Sequence, residues 1–319
     1  MKNNFFKVAA FYKFTQLSNL PELQETFMQY LTKLKIKGTI LLAHEGINGT
    51  VAGTSESIDK FKEFLNIRDL LSSKDFKTSS CKDEPFPRLK VKLKNEIVSI
   101  GNELADPKKT VGTYVQPEDW NDLIAENDVL ILDTRNTYEY SIGTFKDSIQ
   151  PSTTNFREFP EKINELAHYK DKKIVTYCTG GIKCEKASAL LLHEGFKDVY
   201  QLHGGIIKYG KEAGGKDFEG KCYVFDNRVA VDVNSENPVV ISTCFNCGTI
   251  TAKMINCANP ECNEHFTQCD ACGDALQGCC CETCMEHPRK RAYDGTGYYV
   301  KVPQPVNSSK KSLKTVAND

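Results

Sequence analysis

The chain has 319 residues, is 40% hydrophobic, and is nearly balanced in charge, with 41 Lys+Arg against 42 Asp+Glu. That length suits two or three domains, and no apolar run approaches the roughly 18 residues that read as a membrane span, so no membrane association is expected. The apolar N-terminal stretch is broken by Lys7 and Lys13 and does not read as a signal peptide, so the 14 cysteines point to thiolates and metal ligands in a reducing, cytoplasmic compartment.

Charge is uneven along the chain. Residues 1–110 carry 18 Lys+Arg against 13 Asp+Glu, residues 111–287 carry 16 against 27, and residues 288–319 carry 7 against 2. A polyanion would be met by the two ends, with a more acidic middle between them.

Residues 1–110 read as a ferredoxin-like domain, a fold with many functions, RNA binding among them. Phe5 to Phe14 is strand-like, and Leu20 to Lys35 is an amphipathic helix entered through Pro21. Two strands follow around the turn His44-Glu45-Gly46-Ile47-Asn48-Gly49-Thr50, then a helix with Ile58, Phe61, Phe64 and Leu65 on one face. A final extended region over 75–100 contains the alternating Leu89-Lys90-Val91-Lys92-Leu93-Lys94, completing β-α-β-β-α-β. Lys90, Lys92 and Lys94 share one face of their strand, a row suited either to phosphates or to a solvated, aggregation-resistant edge. A hairpin needs the glycines of the turn but not His44, Glu45 or Asn48, which become auxiliary site residues.

Residues 111–215 alternate strand and helix at βαβ spacing, which predicts a parallel sheet covered on both faces. Val129–Leu132 is a buried-type strand ending at Asp133-Thr134-Arg135, a helix is expected near 156–168, and Lys173–Tyr177 is a second buried strand. It leads into Cys178-Thr179-Gly180-Gly181-Ile182-Lys183-Cys184 and then a helix. A cysteine between a strand end and a helix start meets the N–H groups of the turn, which favour the thiolate. Cys184 is open to two readings, a resolving thiol or a packed helix residue. A phosphatase of the Cdc25 type needs an arginine six residues after the cysteine. That position is Cys184, and Lys183 offers only a point charge.

Residues 216–303 continue as an extended segment and then a Cys-rich module, with 304–319 a Lys/Ser-rich tail expected to be disordered. Ten cysteines fall within residues 244–284. So short a segment lacks a core of its own, and thiolate–zinc bonds would supply its folding energy. Eight ligands, Cys244, Cys247, Cys257, Cys262, Cys269, Cys272, Cys281 and Cys284, make two structural zinc sites of four cysteines each, paired either crossed or sequentially. Cys281 and Cys284 have the better knuckle spacing, leaving Cys279 and Cys280 as extra residues.

Asp133-x-Arg135-x-x-x-Glu139, Cys178 and Leu202-x-Gly204-Gly205 together resemble a rhodanese domain, a family whose cysteine can carry a persulfide sulfur. Joined to the His44–Thr50 turn and the Cys-rich tail, the whole resembles the bacterial tRNA uridine(34) hydroxylases, from about residue 5 to residue 300. The resemblance implies an oxidoreductase that uses molecular oxygen to convert the wobble uridine of tRNA to 5-hydroxyuridine. It makes Cys178 the active-site cysteine and the anticodon loop of tRNA the partner, with Arg135 auxiliary or structural. Lys183 stands where the family pattern leads one to expect arginine. No flavin or nicotinamide motif and no His/carboxylate triad for iron is seen. The alternatives are a persulfide sulfurtransferase and a non-catalytic sulfur-carrier or partner-binding protein.

Overall fold

The computed structural model describes residues 5–297. Its first part runs β1 (Phe6–Phe14), α1 (Leu20–Lys33), β2 (Lys37–Ala43), β3 (Gly46–Gly53), α2 (Ser55–Ile67), β4 (Phe76–Cys81) and β5 (Leu89–Leu93). The sheet order is β4-β1-β3-β2-β5, with β5 parallel to β2 and the other pairs antiparallel. The ferredoxin-like unit is present, but Phe76–Cys81 is its last strand, and the lysine strand is an added fifth on the opposite edge. Its Leu–Lys alternation is the stronger sequence signal, whereas β4 is polar along most of its length and only half-buried.

Alternation along the strands sorts this sheet into two faces. Phe11, Ile40, Ile47 and Val51 pack against Phe27 and Leu31 of α1 and Ile58, Phe61 and Leu65 of α2. Thr54 caps α2 by accepting the Ser57 N–H at 3.1 Å. Tyr12, Thr39, Leu41, Asn48, Thr50 and Lys77 occupy the other face, which no helix of this unit covers and which turns toward the cysteine loop.

The middle of the chain runs β6 (Thr113–Val115), α3 (Pro117–Ile124), β7 (Val129–Asp133), α4 (Thr137–Tyr140), β8 (Gly143–Phe145), α5 (Phe159–Lys162), β9 (Lys173–Tyr177), α6 (Ile182–His193), β10 (Asp198–Leu202) and α7 (Gly205–Ala213). The parallel order β6-β10-β9-β7 agrees with the expected sheet. Leu130, Leu132 and Ile174 pack on α6 through Leu190 and Leu191, while Ile131, Val175 and Tyr177 meet Trp120, Ile206 and Tyr209 on the far face. The helix expected near 156–168 is instead one turn, α5, between 3-10 turns at Phe156–Glu158 and Ile163–Tyr169. Pro160 has no N–H to give to an α-helix running through it.

Next, β11 (Phe218–Tyr223) pairs with β12 (Ala230–Asp232) and with β8. The Cys-rich module holds β13 (Met254–Asn256), β14 (His265–Thr267), α8 (Asp270–Ala275) and α9 (Glu282–Met285), around a small core of Ile255, Cys257, Phe266, Cys279 and Cys284. Among the described residues no helix is long and apolar enough to cross a membrane. The tail expected over 304–319 lies outside the described residues.

Candidate active site

β9 delivers Cys178 to the carboxyl end of the parallel sheet, where ligands meet α/β folds. Gly181 turns the chain at φ 95 to start α6, and its N–H donates to Cys178 Sγ at 3.1 Å. Behind the loop, the N–H groups of Ile206 and Ile207 donate to the carbonyls of Cys178 at 3.0 Å and Thr179 at 3.1 Å. This explains the glycine pair at 204–205. A Cβ on Gly205, itself at φ 69, would lie 2.5 Å from the Cys178 carbonyl oxygen and 2.7 Å from the Gly181 nitrogen.

The Cys178 side chain is buried, and burial alone would push its pKa up. Hydrogen bonds from the Cys184 thiol and N–H, the charge of the Lys183 ammonium and the Lys183 N–H act against it and bring the pKa down to about 6. The partner thiol moves the other way: burial and its bond to Cys178 push Cys184 well up. The two shifts run in opposite directions, so Cys178 is the more acidic thiol of the pair. Thr134 Oγ1 lies 3.6 Å from Cys184 Sγ.

Lys183 is already engaged. Its Nζ lies 2.7 Å from Glu139 Oε2 and 3.1 Å from Asn136 Oδ1. Glu139, with its side chain 1% exposed, also accepts the Asn136 N–H at 3.0 Å and the Thr179 hydroxyl at 3.4 Å, so one carboxylate ties two residues of the loop to α4. Arg135 is fully buried against Asp133 at 2.6 Å and donates to the Gly143 carbonyl at 2.6 Å. It fixes the end of β7 and is not among the residues lining the cavity above the thiol.

That cavity is about 410 Å³. Cys178, Thr179, Gly180, Ile182 and Lys183 form one side; Thr39, Leu41, Asn48 and Thr50 of the N-terminal sheet form the other, with Phe86, Val98 and Phe225 as apolar flanks. Asn48 also donates to the Ile97 carbonyl at 2.8 Å. Its two neighbours in the turn stand elsewhere: His44 Nδ1 is 2.9 Å from the Leu17 carbonyl, and Glu45 accepts the Ile97 N–H at 2.6 Å and meets Lys186 Nζ of α6 at 2.8 Å. Lys90 and Lys92 pair in register with Thr39 and Leu41, so they stand on the sheet face that roofs the thiol, at its edge.

Four residues of the site carried no sequence signal. Tyr12 donates to Glu185 Oε1 at 3.0 Å and Tyr114 to Glu185 Oε2 at 2.9 Å. Burial raises the Glu185 pKa against the pull of these hydroxyls. Lys77 lies over the Tyr12 ring at 4.5 Å, and burial lowers its pKa to about 8 against the attraction of Cys178 and Glu185. Tyr12 and Glu185 are 173 positions apart, beyond any local pattern.

The Cys-rich module gathers its thiols into two groups, Cys244, Cys247, Cys269 and Cys272, and Cys257, Cys262, Cys280 and Cys284. Pairing is crossed, first with third and second with fourth. Within each group the sulfurs lie within 4.8 Å of one another, with separations such as 3.6, 3.7 and 3.8 Å. A tetrahedral zinc thiolate with Zn–S near 2.3 Å requires about 3.8 Å between sulfurs, so both groups fit zinc. The expectation for Cys281 is corrected: Cys280 takes its place. Cys281 is the exposed N-cap of α9, whereas Cys280, one residue earlier, reaches both Cys262 and Cys284.

Comparison with known proteins finds matches over most of the chain. A UPF0176 acylphosphatase-like domain matches residues 6–97, a rhodanese-like domain residues 116–212, and a Rhodanase C-terminal domain residues 219–285. A tRNA uridine(34) hydroxylase of Cytophaga hutchinsonii is 48% identical over 296 residues, 93% of this chain and 95% of that protein. Proteins of the same name from Picosynechococcus and Acinetobacter baumannii are 46% and 47% identical, covering 82% and 76% of this chain and 91% and 77% of their own.

Proposed function

The chain belongs to the tRNA uridine(34) hydroxylase family, and from that premise we propose that it converts the wobble uridine of tRNA to 5-hydroxyuridine with Cys178 as the reacting group. The observation that carries the assignment of Cys178 is a thiol brought down to about pKa 6, facing a cavity of about 410 Å³ walled by a second domain. A thiolate there adds to C6 of the uracil. The C–S bond forms, the C5–C6 π electrons pass toward the C4 carbonyl, and C5 becomes nucleophilic. Oxygen then enters at C5, the C5 proton is lost, and the thiolate leaves. With molecular oxygen as the source, one atom goes to C5 and the other to water, which requires two electrons and two protons from a donor.

Thr39, Asn48 and Thr50 supply polar groups along the cavity wall for the edges of the base. The base must leave its stack to enter, which costs less in an anticodon loop than in a duplex. Lys90, Lys92 and Lys94 serve the phosphates at the edge of the roof, and the protein works in the cytoplasm. Two structural zinc ions hold the Cys-rich module.

A second reading, persulfide sulfur transfer, is favoured by the Gly181 N–H aimed at Cys178 Sγ at 3.1 Å, since such a loop also cradles a terminal sulfur. Mass spectrometry of tRNA from a deletion strain separates the two: hydroxylation predicts loss of 5-hydroxyuridine, sulfur transfer loss of a thiolated base. Complementation with the Cys178→Ser variant should restore a folded protein but not the modified base. Full restoration by that variant would remove Cys178 from the mechanism.

A further inference from the structure

A second cleft, about 640 Å³, opens beside the thiol chamber and shares Tyr12 and Lys77 with it. One wall is the β1–β4 edge of the N-terminal sheet; the other is the turn at His203-Gly204 with α7. Six lysines line it against three carboxylates. Lys208 is satisfied by Glu212 at 3.4 Å, but Lys13, Lys74, Lys108 and Lys211 have no ion-pair partner among the described residues. Of the carboxylates, Glu185 is drawn onto the hydroxyls of Tyr12 and Tyr114. The positive excess is local, because residues 111–287, which build one wall, hold 16 Lys+Arg against 27 Asp+Glu.

The cleft also presents aromatic surface. Tyr114, in the lining, is 47% exposed, with its hydroxyl tied to Glu185 at 2.9 Å and its ring 5.5 Å from His203 in an edge-to-face arrangement, so aromatic surface stays open to the cleft. Unpaired lysines around an available ring suit a single nucleic-acid strand, with phosphates met by point charges and a base by a π face. A duplex keeps its bases stacked on one another and has no use for the ring. The volume lies in the range, about 300–1,000 Å³, of sites that enclose a ligand rather than merely touch it.

We propose that this cleft binds a single-stranded RNA segment next to the uridine held over Cys178, with phosphates on Lys13, Lys74, Lys108 and Lys211 and a base stacked on Tyr114. The proposal rests on the tRNA-hydroxylase reading. It is independent of the lysine strand, because β4 and β5 are opposite edges of the sheet. Tyr12 and Lys77, common to both cavities, form the passage from the strand to the reacting base.

The test measures affinity of the full-length protein for an in vitro transcribed tRNA with uridine at position 34, as a function of salt. A variant with Lys13, Lys74, Lys108 and Lys211 all changed to Gln should bind at least ten-fold more weakly at low salt. Its slope of log affinity against log salt should be shallower by about 0.7 for each phosphate that the variant no longer neutralises. Tyr114→Leu should weaken binding at least five-fold with the slope unchanged, and Tyr114→Phe, which keeps the ring but frees Glu185 from one hydroxyl, should recover most of that loss. Wild-type binding with an unaltered slope in the quadruple variant overturns the cleft and leaves the hydroxylase reading standing. Equal competition by single-stranded and duplex RNA of one length also overturns it. A wild-type protein that neither binds the tRNA nor yields 5-hydroxyuridine overturns both.

Discussion

At the scale of single residues, the proposed chemistry turns on two buried thiols whose pKa values are driven apart. Burial disfavours a thiolate at Cys178, and the Cys184 thiol, held by Thr134 on its far side, is the largest opposing influence. A position that reads in sequence as a resolving or a packed cysteine thus has a third use, lowering the pKa of its neighbour Cys178. Because the Cys178 pKa is lowered to about 6, the thiolate dominates above that pH and is lost below it. Alkylation of Cys178 by iodoacetamide should therefore rise to a plateau through a midpoint near 6 and fall about ten-fold per pH unit on the acid side. In Cys184→Ala the midpoint should move up by roughly one to two units, the worth of one hydrogen bond to a charged acceptor. A midpoint that stays in place would assign the whole effect to Lys183 and the loop amides.

At the scale of elements, two of the three departures from the sequence reading, Cys280 and the lysine strand, have one cause: sequence spacing measures residues along the chain, whereas the fold uses direction in space. The spacing Cys281-x-x-Cys284 favours Cys281, but that residue caps α9 in extended conformation and stands outside the group of four, whereas Cys280 Sγ lies 3.7 Å from Cys284 Sγ and 3.8 Å from Cys262 Sγ. Zinc content follows. Cys280→Ser should drop the purified, reduced protein from two zinc ions per chain to about one, while Cys281→Ser should keep two; the reverse pattern by elemental analysis would restore the spacing argument. The strand Leu89–Leu93 was legible from its alternation, but its place in the sheet was not, since Val91 could cover the same core from either edge. The glycine pair was legible as a signature, and the structure supplies its reason. Gly205→Ala drives a Cβ into the Cys178 carbonyl at positive φ and should cost about 1–3 kcal/mol in chemical denaturation, with loss of activity beyond what that instability explains.

At the scale of the molecule, the candidate site is a seam between the N-terminal sheet and the cysteine loop, and seams are what a sequence hides. The thiol loop, the rhodanese markers and the Cys-rich module were legible because each is a local run. Tyr12 and Lys77, silent in the sequence, and Asn48, singled out there only as a polar residue of an odd turn, reach the candidate site because the open face of the N-terminal sheet is laid over the loop. An ion cluster holds it there: Lys186 of α6, with its side chain 2% exposed, meets Glu45 at 2.8 Å and Glu96 at 2.6 Å from the N-terminal side. The two carboxylates are about a fifth exposed, so water screens part of their charge and the full cost of a broken buried pair does not apply. Lys186→Met leaves both without a cation and should lower stability by about 2–3 kcal/mol. It should also speed alkylation of Cys178 by a bulky maleimide as the roof loosens. Adding Glu45→Gln and Glu96→Gln removes the stranded charges and should recover part of the stability, as apolar and neutral replacements of whole buried pairs do. If the stability of Lys186→Met alone stays within about 0.5 kcal/mol of wild type, on the order of an ordinary surface substitution, the domains are held by packing, and the cluster only fills the seam.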